Sequence, residues 1–318
     1  VLAKSLLGVC GFLLLTGCGS SSSEDTTGTG GGGTSGSGGS ATGGSGGSAT
    51  GGSGGSSIGE TVTIETAPRR VEIGEEAFFC QNISNPFGQD VEVLESQSSM
   101  SAGSHHMFVF YEGSNSDGPV VDCSGLEFDR AVHSSQSQEH TITYPPDVGR
   151  FVGADDGFRV MAHYLNTTGA PVDAVVKVTF RYVPSGTVQH QAAAVFFNNM
   201  AVYVGAKSSG QAEKTCDIPY DIQLIDAVSH MHQYGETFQA KTQDGTVIYE
   251  TDTWDEPETA KFDPPLALPA GTQITWTCNY DNPTNLVLTF GESAQTNEMC
   301  IFGGVYFPAP EGESIVCF

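Results

Sequence analysis

The chain has 318 residues, with 12 Lys and Arg against 37 Asp and Glu, a formal net charge of −25. Such an acidic surface excludes nucleic acid as a partner, because contact with a phosphate backbone needs a basic face. The acidity reads as a solubilising surface.

The first segment carries Lys4 and then a mostly apolar run over residues 6–15. That run is too short to span a bilayer and fits the h-region of an export signal. It ends in Leu15-Thr16-Gly17-Cys18, which resembles a bacterial lipobox, with Cys18 as the lipid-bearing first residue of the mature protein. The other reading is an ordinary signal peptide with an incidental cysteine. Residues 19–57 are almost entirely Gly, Ser and Thr and repeat a short unit. Such a composition buries too little apolar surface to offset the entropy of ordering, so a flexible tether is expected between anchor and folded part. The expected location is the periplasmic or cell-surface side of a membrane.

Residues 58–318 remain, about 260, enough for one large or two medium domains. Period-two alternation of β-branched and aromatic residues predicts strands at Thr61-Val62-Thr63-Ile64, over 176–182 and over 273–278. Asn85-Pro86, Pro145-Pro146, Asp244-Gly245 and Asp281-Asn282-Pro283 read as turns. No amphipathic helix of normal length is legible. The expected class is all-β, as two tandem antiparallel, jelly-roll-like β-sandwich domains. Pro184-Ser185-Gly186 breaks the strand pattern and places the boundary between 58–184 and 185–318.

Eight cysteines are present. Cys10 lies in the signal run and Cys18 is the lipidation candidate. The remaining Cys80, Cys123, Cys216, Cys278, Cys300 and Cys317 are even in number, which in an exported chain predicts three disulfides among 15 possible pairings. The absence of a CxxC spacing argues against a structural zinc site or a redox dithiol.

The histidines carry most of the chemistry. His105 and His106 open a strand-like run, but adjacent strand residues face opposite ways. Both can reach one metal only where the backbone is irregular or at a strand end. His163 lies in a second strand-like run, where an isolated histidine is more often a core or edge residue. His230 and His232, in Ser229-His230-Met231-His232, have the i, i+2 spacing that puts two imidazoles on one strand face with Met231 opposite. Met299, in Asn297-Glu298-Met299-Cys300, reads alone as core.

Taken together, the His-His pair, His163, the HxH pair and the Asn-Glu-Met-Cys element resemble, in order and approximate spacing, the type II copper, ascorbate-dependent monooxygenases. That family includes peptidylglycine α-hydroxylating monooxygenase and dopamine β-monooxygenase, and the resemblance covers roughly residues 78–307. It implies one copper held by His105, His106 and His163 and a second held by His230, His232 and Met299, the latter site being catalytic. It also implies the pairs Cys80–Cys123, Cys278–Cys300 and Cys216–Cys317. His133, His140 and His190 fall outside the pattern and read as surface or structural. The chemistry agrees: imidazole plus thioether, with no carboxylate, is a soft set that suits copper over Mg, Ca or Mn, and zinc more usually shows Cys, His or carboxylate.

The resemblance implies insertion of one oxygen atom of O2 into a C–H bond of a small molecule, with ascorbate or a similar one-electron donor, by a monomer. The peptide-binding residues of the family do not carry over. Val228 stands where its carboxylate-gripping arginine would, and Ile301, Gly303 and Val305 replace its polar and aromatic contacts. The expected substrate is small or apolar. Two other readings are a non-catalytic copper storage or delivery lipoprotein, and an adhesion-type sandwich module with incidental histidines.

Overall fold

A computed structural model describes residues 58–124 and 130–318. The signal run, Cys18 and the 19–57 tether lie outside the described residues. The described chain is strand connected by turns, with one 3-10 turn at Pro310–Gly312, so the all-β expectation holds. The three alternating runs fall in strands Glu60–Glu65, Val176–Pro184 and Gln273–Asn282. In the second, Val176, Val178, Phe180 and Tyr182 are buried while Lys177 is exposed, as a pleated ribbon with one dry face requires.

One expected turn is displaced. Asp281 and Asn282 end a strand, and Asn282 builds the turn that follows. Its amide donates to Gly205 O and Leu286 O, both at 2.8 Å, and its Oδ1 accepts from Thr284 N–H at 3.0 Å.

In the N-terminal half, one sheet runs in the order Glu60–Glu65, Val176–Pro184, Val91–Met100, Val148–Val152, His190–Gln191, with Glu139–Thr143 also paired to Val91–Met100. A second sheet runs Val121–Asp122, Glu76–Ile83, Gly157–Leu165, Ser104–Glu112, Ala131–Ser135. In the C-terminal half, a five-stranded sheet runs Ala260–Leu268, Ile222–His230, Ile301–Phe307, Ala193–Asn198, Ile315–Cys317. A four-stranded sheet there runs Ser208–Asp217, Gln273–Asn282, Gly235–Thr242, Val247–Thr251.

The buried apolar residues fall into two large clusters, one around Phe79, Phe158 and Phe180 and one around Phe197, Phe238 and Trp276. The first also takes in Ala192 and Ile225, with Val305 and Phe307 packed against it. The halves therefore share a dry seam, and residues 58–318 belong to a single compact unit. Their junction is pinned. The buried Glu92 carboxylate accepts the backbone N–H groups of Gly186, Thr187 and Val188 at 2.9, 3.0 and 3.2 Å.

Three disulfides close the fold: Cys80–Cys123, Cys216–Cys317 and Cys278–Cys300. They are the pairs the resemblance implies, and they indicate an oxidising compartment. Among the described residues no helix is long and apolar enough to cross a membrane.

Candidate metal centre

Five buried histidines meet where the two halves touch. His106 and His163 sit directly opposite each other on paired strands, and the register then slips, so that Tyr164 faces Ser104 and His105 is left over. His105 is thus the extra residue of a β-bulge. A bulge reorients one side chain relative to its neighbour, which is the irregularity an adjacent His-His pair needs to converge. His230 ends its strand and His232 lies just beyond, while Met231 is buried in the C-terminal core. Ring centroids of His105 lie 5.0 Å from His106, 5.0 Å from His163, 5.1 Å from His230 and 5.6 Å from His232. Phe78 stacks on His163 at 3.8 Å, and Trp254 meets His105 edge-on at 5.7 Å.

Hydrogen bonds settle which nitrogen of three rings carries the proton. His230 Nδ1 lies 2.7 Å from Gln136 Oε1, His163 Nε2 lies 2.9 Å from Glu76 Oε1, and His232 Nδ1 lies 3.1 Å from Asn297 O. Each partner atom only accepts, so the ring nitrogen donates and the opposite nitrogen keeps its lone pair. Those opposite atoms, His230 Nε2, His163 Nδ1 and His232 Nε2, are buried without a hydrogen-bond partner, as are His105 Nε2 and His106 Nδ1. Five imidazoles with one buried, unbonded nitrogen each form a donor set that asks for a metal.

Burial, then the neighbouring imidazoles, hold His105, His106 and His230 well below the ordinary histidine range. Burial is also the main cause that pushes His232 down to about 4. His163 is lowered by burial against the opposing pull of Glu76. The rings are neutral, the form that ligates.

Met299 is held by its surroundings. Cys300 is tied to Cys278, Tyr280 Oη donates to Met299 O at 2.9 Å, and the strand that follows pairs Ile301 with His230. Glu298 is fully buried; its carboxylate accepts His232 N–H at 3.0 Å, Tyr234 N–H at 2.8 Å and Met299 N–H at 3.3 Å. Burial pushes its carboxyl up to about 7, against those three donors.

Two supports come from across the seam. Gln136, in the N-terminal half, fixes His230 of the C-terminal half and also donates to Ser229 O. Glu76, beside His163, accepts from Ser293 Oγ and Ala294 N, both at 2.6 Å. Neither Gln136 nor Glu76 carried a signal in sequence, because their roles arise only when the halves pack.

The geometry does not by itself separate the expected three-histidine set from the two-histidine-plus-methionine set. The tightest trio, with one donor atom each all within 4.8 Å of one another, is His105, His106 and His230. It takes two residues of the first set and one of the second, and Gln136 and Glu76 each bridge the two halves beside it.

A cavity of about 130 Å³ adjoins the cluster, with His106, His230 and Met299 in its wall. Val228, Ile301, Gly303 and Val305 all line it. His133 is buried and bonded to Ser96 Oγ at 2.7 Å; with the half-buried His140 it lines the same cavity, while His190 is exposed.

No family model matches the chain, and no curated protein matches it. Among solved structures, a recombinant N-glycanase F (PNGase F) covers 81% of this chain and 97% of its own at 9% identity and TM-score 0.39. PNGase F of Flavobacterium meningosepticum, a glycosylasparaginase, covers 81% and 98% at 9% identity and TM-score 0.37. A PBCV-1 virus capsid gives 6% identity and TM-score 0.26 over 78% of this chain and 94% of that one. At these scores the likenesses carry no argument about this protein.

Proposed function

We propose that the protein is a copper-dependent monooxygenase that hydroxylates a C–H bond of a small, largely apolar molecule. The observation that carries this reading is the convergence of five neutral, buried imidazoles, each with an unbonded nitrogen, next to Met299 and an apolar-walled cavity. The donor set fits copper: uncharged imidazole nitrogen with a soft thioether alongside. Following the resemblance, His105, His106 and His163 hold one ion, and His230, His232 and Met299 hold the second.

Copper bound there would supply the one-electron and dioxygen chemistry, with ascorbate or a similar donor as co-substrate. One oxygen atom enters the C–H bond and the other leaves as water, balanced by two electrons and two protons from that reductant. The chain's own part is to position and to exclude water. Gln136, Glu76 and Asn297 O aim three imidazoles, the disulfide at Cys300 steadies the Met299 segment, and Phe108, Phe110, Val228 and Val305 keep the cavity dry.

The same reading places two tandem sandwich domains, 58–184 and 185–318, on an exported monomer tethered to a membrane through Cys18. Copper titration with oxygen uptake tests it. Wild type is expected to take up two coppers per chain and to consume oxygen with ascorbate; Met299→Ile should weaken one site only. Uptake ending at one copper would sink the two-site assignment, and copper uptake without turnover would favour a storage or delivery protein.

A further inference from the structure

The cavity has a direction. Strands Ile222–His230 and Ile301–Phe307 pair His230 with Ile301, Val228 with Gly303 and Asp226 with Val305, and all six residues line it. From His230 back to Asp226 is four strand residues, roughly 13 Å. One end is the histidine cluster. At the other end stand Tyr144, Arg150 and Asp226, with Tyr144 feeling the charge of both Arg150 and Asp226.

Arg150 is the anomaly there. It stands on strand Val148–Val152 and shares a face with Val148 and Val152, both in the N-terminal core, and it is only 2% exposed. Its Nη2 is buried with no hydrogen-bond partner among the described residues, and its guanidinium lies toward the Tyr111 ring, with Cζ 5.9 Å from the centroid. Asp226 compensates poorly. Burial pushes its carboxyl up to about 7, and one oxygen already accepts Val305 N–H at 2.8 Å. A guanidinium cannot shed its proton and offers five N–H donors in a planar fork. Keeping that charge in an apolar wall with no counterion among the described residues is costly, and the planar fork matches a carboxylate.

We propose that this cavity binds a small amphipathic carboxylate, its carboxylate on Arg150 and its apolar chain lying along Phe108, Phe110, Val228 and Val305 toward Met299 and His230. That this molecule is the substrate rests on the monooxygenase reading; that it binds does not. The inference narrows the substrate class from apolar to apolar with one anionic end. It also assigns the gripping role to the N-terminal half, where the HxH strand offers Val228.

Calorimetry on the full chain, with and without copper, tests this using octanoate, 1-octanol and octylamine as probes. Octanoate should bind at least tenfold more tightly than 1-octanol, and Arg150→Met should abolish that preference while leaving copper uptake unchanged. Arg150→Gln, which keeps polarity and bulk, serves if the Met variant does not fold, and the wild-type comparison decides alone if neither does. Equal binding of octanoate and octanol, tightest binding of octylamine, no binding of any probe, or a preference that survives in a folded Arg150 variant would each overturn the proposal. Copper uptake and oxygen consumption are read separately. Their failure would sink the monooxygenase while leaving the carboxylate site standing, and the reverse holds equally.

Discussion

At the scale of single residues, the proposed copper site depends on side chains outside its ligand sets. Glu76 takes three donors, from His163, Ser293 and Ala294, and so couples one imidazole to the 293–294 loop across the seam. Glu76→Ala leaves those donors without an acceptor and lets His163 rotate. Copper affinity should fall about 10–100-fold and the metal-free protein should lose about 1–3 kcal/mol, measured by chelator competition and by urea unfolding. Gln136→Leu should weaken copper binding over a similar range through His230, since a leucine cannot accept from Nδ1. If either variant bound copper as tightly as wild type, the proton positions deduced for these rings would be wrong.

At the scale of elements, the site is set by how strands are paired and interrupted. The bulge at His105 turns an adjacent pair into two convergent imidazoles. The pairing of Ile222–His230 with Ile301–Phe307 brings the Met299 segment beside the HxH turn. Gly304 permits that pairing: a Cβ there would sit 2.4 Å from Asp226 O, a backbone atom that cannot move aside alone. Gly304→Ala should cost about 1–3 kcal/mol and lower copper uptake, as the two strands shift. Gly303→Ala is the contrasting variant. Its Cβ would meet Val228 Cγ1 at 3.5 Å, an ordinary contact, so stability should hold while the cavity narrows. Equal stability of the two variants in urea would refute the close-packing argument.

At the scale of the whole molecule, stability is tied to the protonation of buried groups. Seven imidazoles are lowered by folding: His105, His106, His133, His140, His163, His230 and His232. Burial takes His133 to about 3 and His140 to about 4, against an ordinary value of 6.5. Below pH 6.5 the unfolded chain gains protons that the folded chain refuses, so these groups withdraw stability as pH falls through 6.5 toward 4. Asp226 and Glu298, both raised to about 7, act the opposite way over the same window. Imidazoles outnumber those carboxyls, so the metal-free protein should lose stability from pH 7 to pH 5, each net proton contributing about 1.4 kcal/mol per pH unit. His140→Gln should flatten that slope. A pH-independent unfolding midpoint over this range would contradict the burial of neutral histidines. The Cys216–Cys317 disulfide spans 101 residues, and replacing both cysteines by alanine should lower stability by roughly 3–5 kcal/mol in thermal unfolding.

Much was legible in the sequence. Period-two runs at 61–64, 176–182 and 273–278 gave strands, because alternation is a local consequence of the pleat. The order of His105-His106, His163, His230-Met231-His232 and Met299 singled out the residues that converge or adjoin, because their chemical types are written in the chain. The disulfide pairs followed from the resemblance those residues carry. What only the tertiary structure decided is everything that depends on the seam between the halves. Gln136 and Glu76 have no local pattern, His105 became a bulge residue through its partner strand, and Arg150 looks like any strand arginine until the core closes over it. Burial and cross-seam hydrogen bonds are properties of packing, not of spacing. They join five imidazoles into one cluster and leave one guanidinium facing a cavity with no counterion among the described residues.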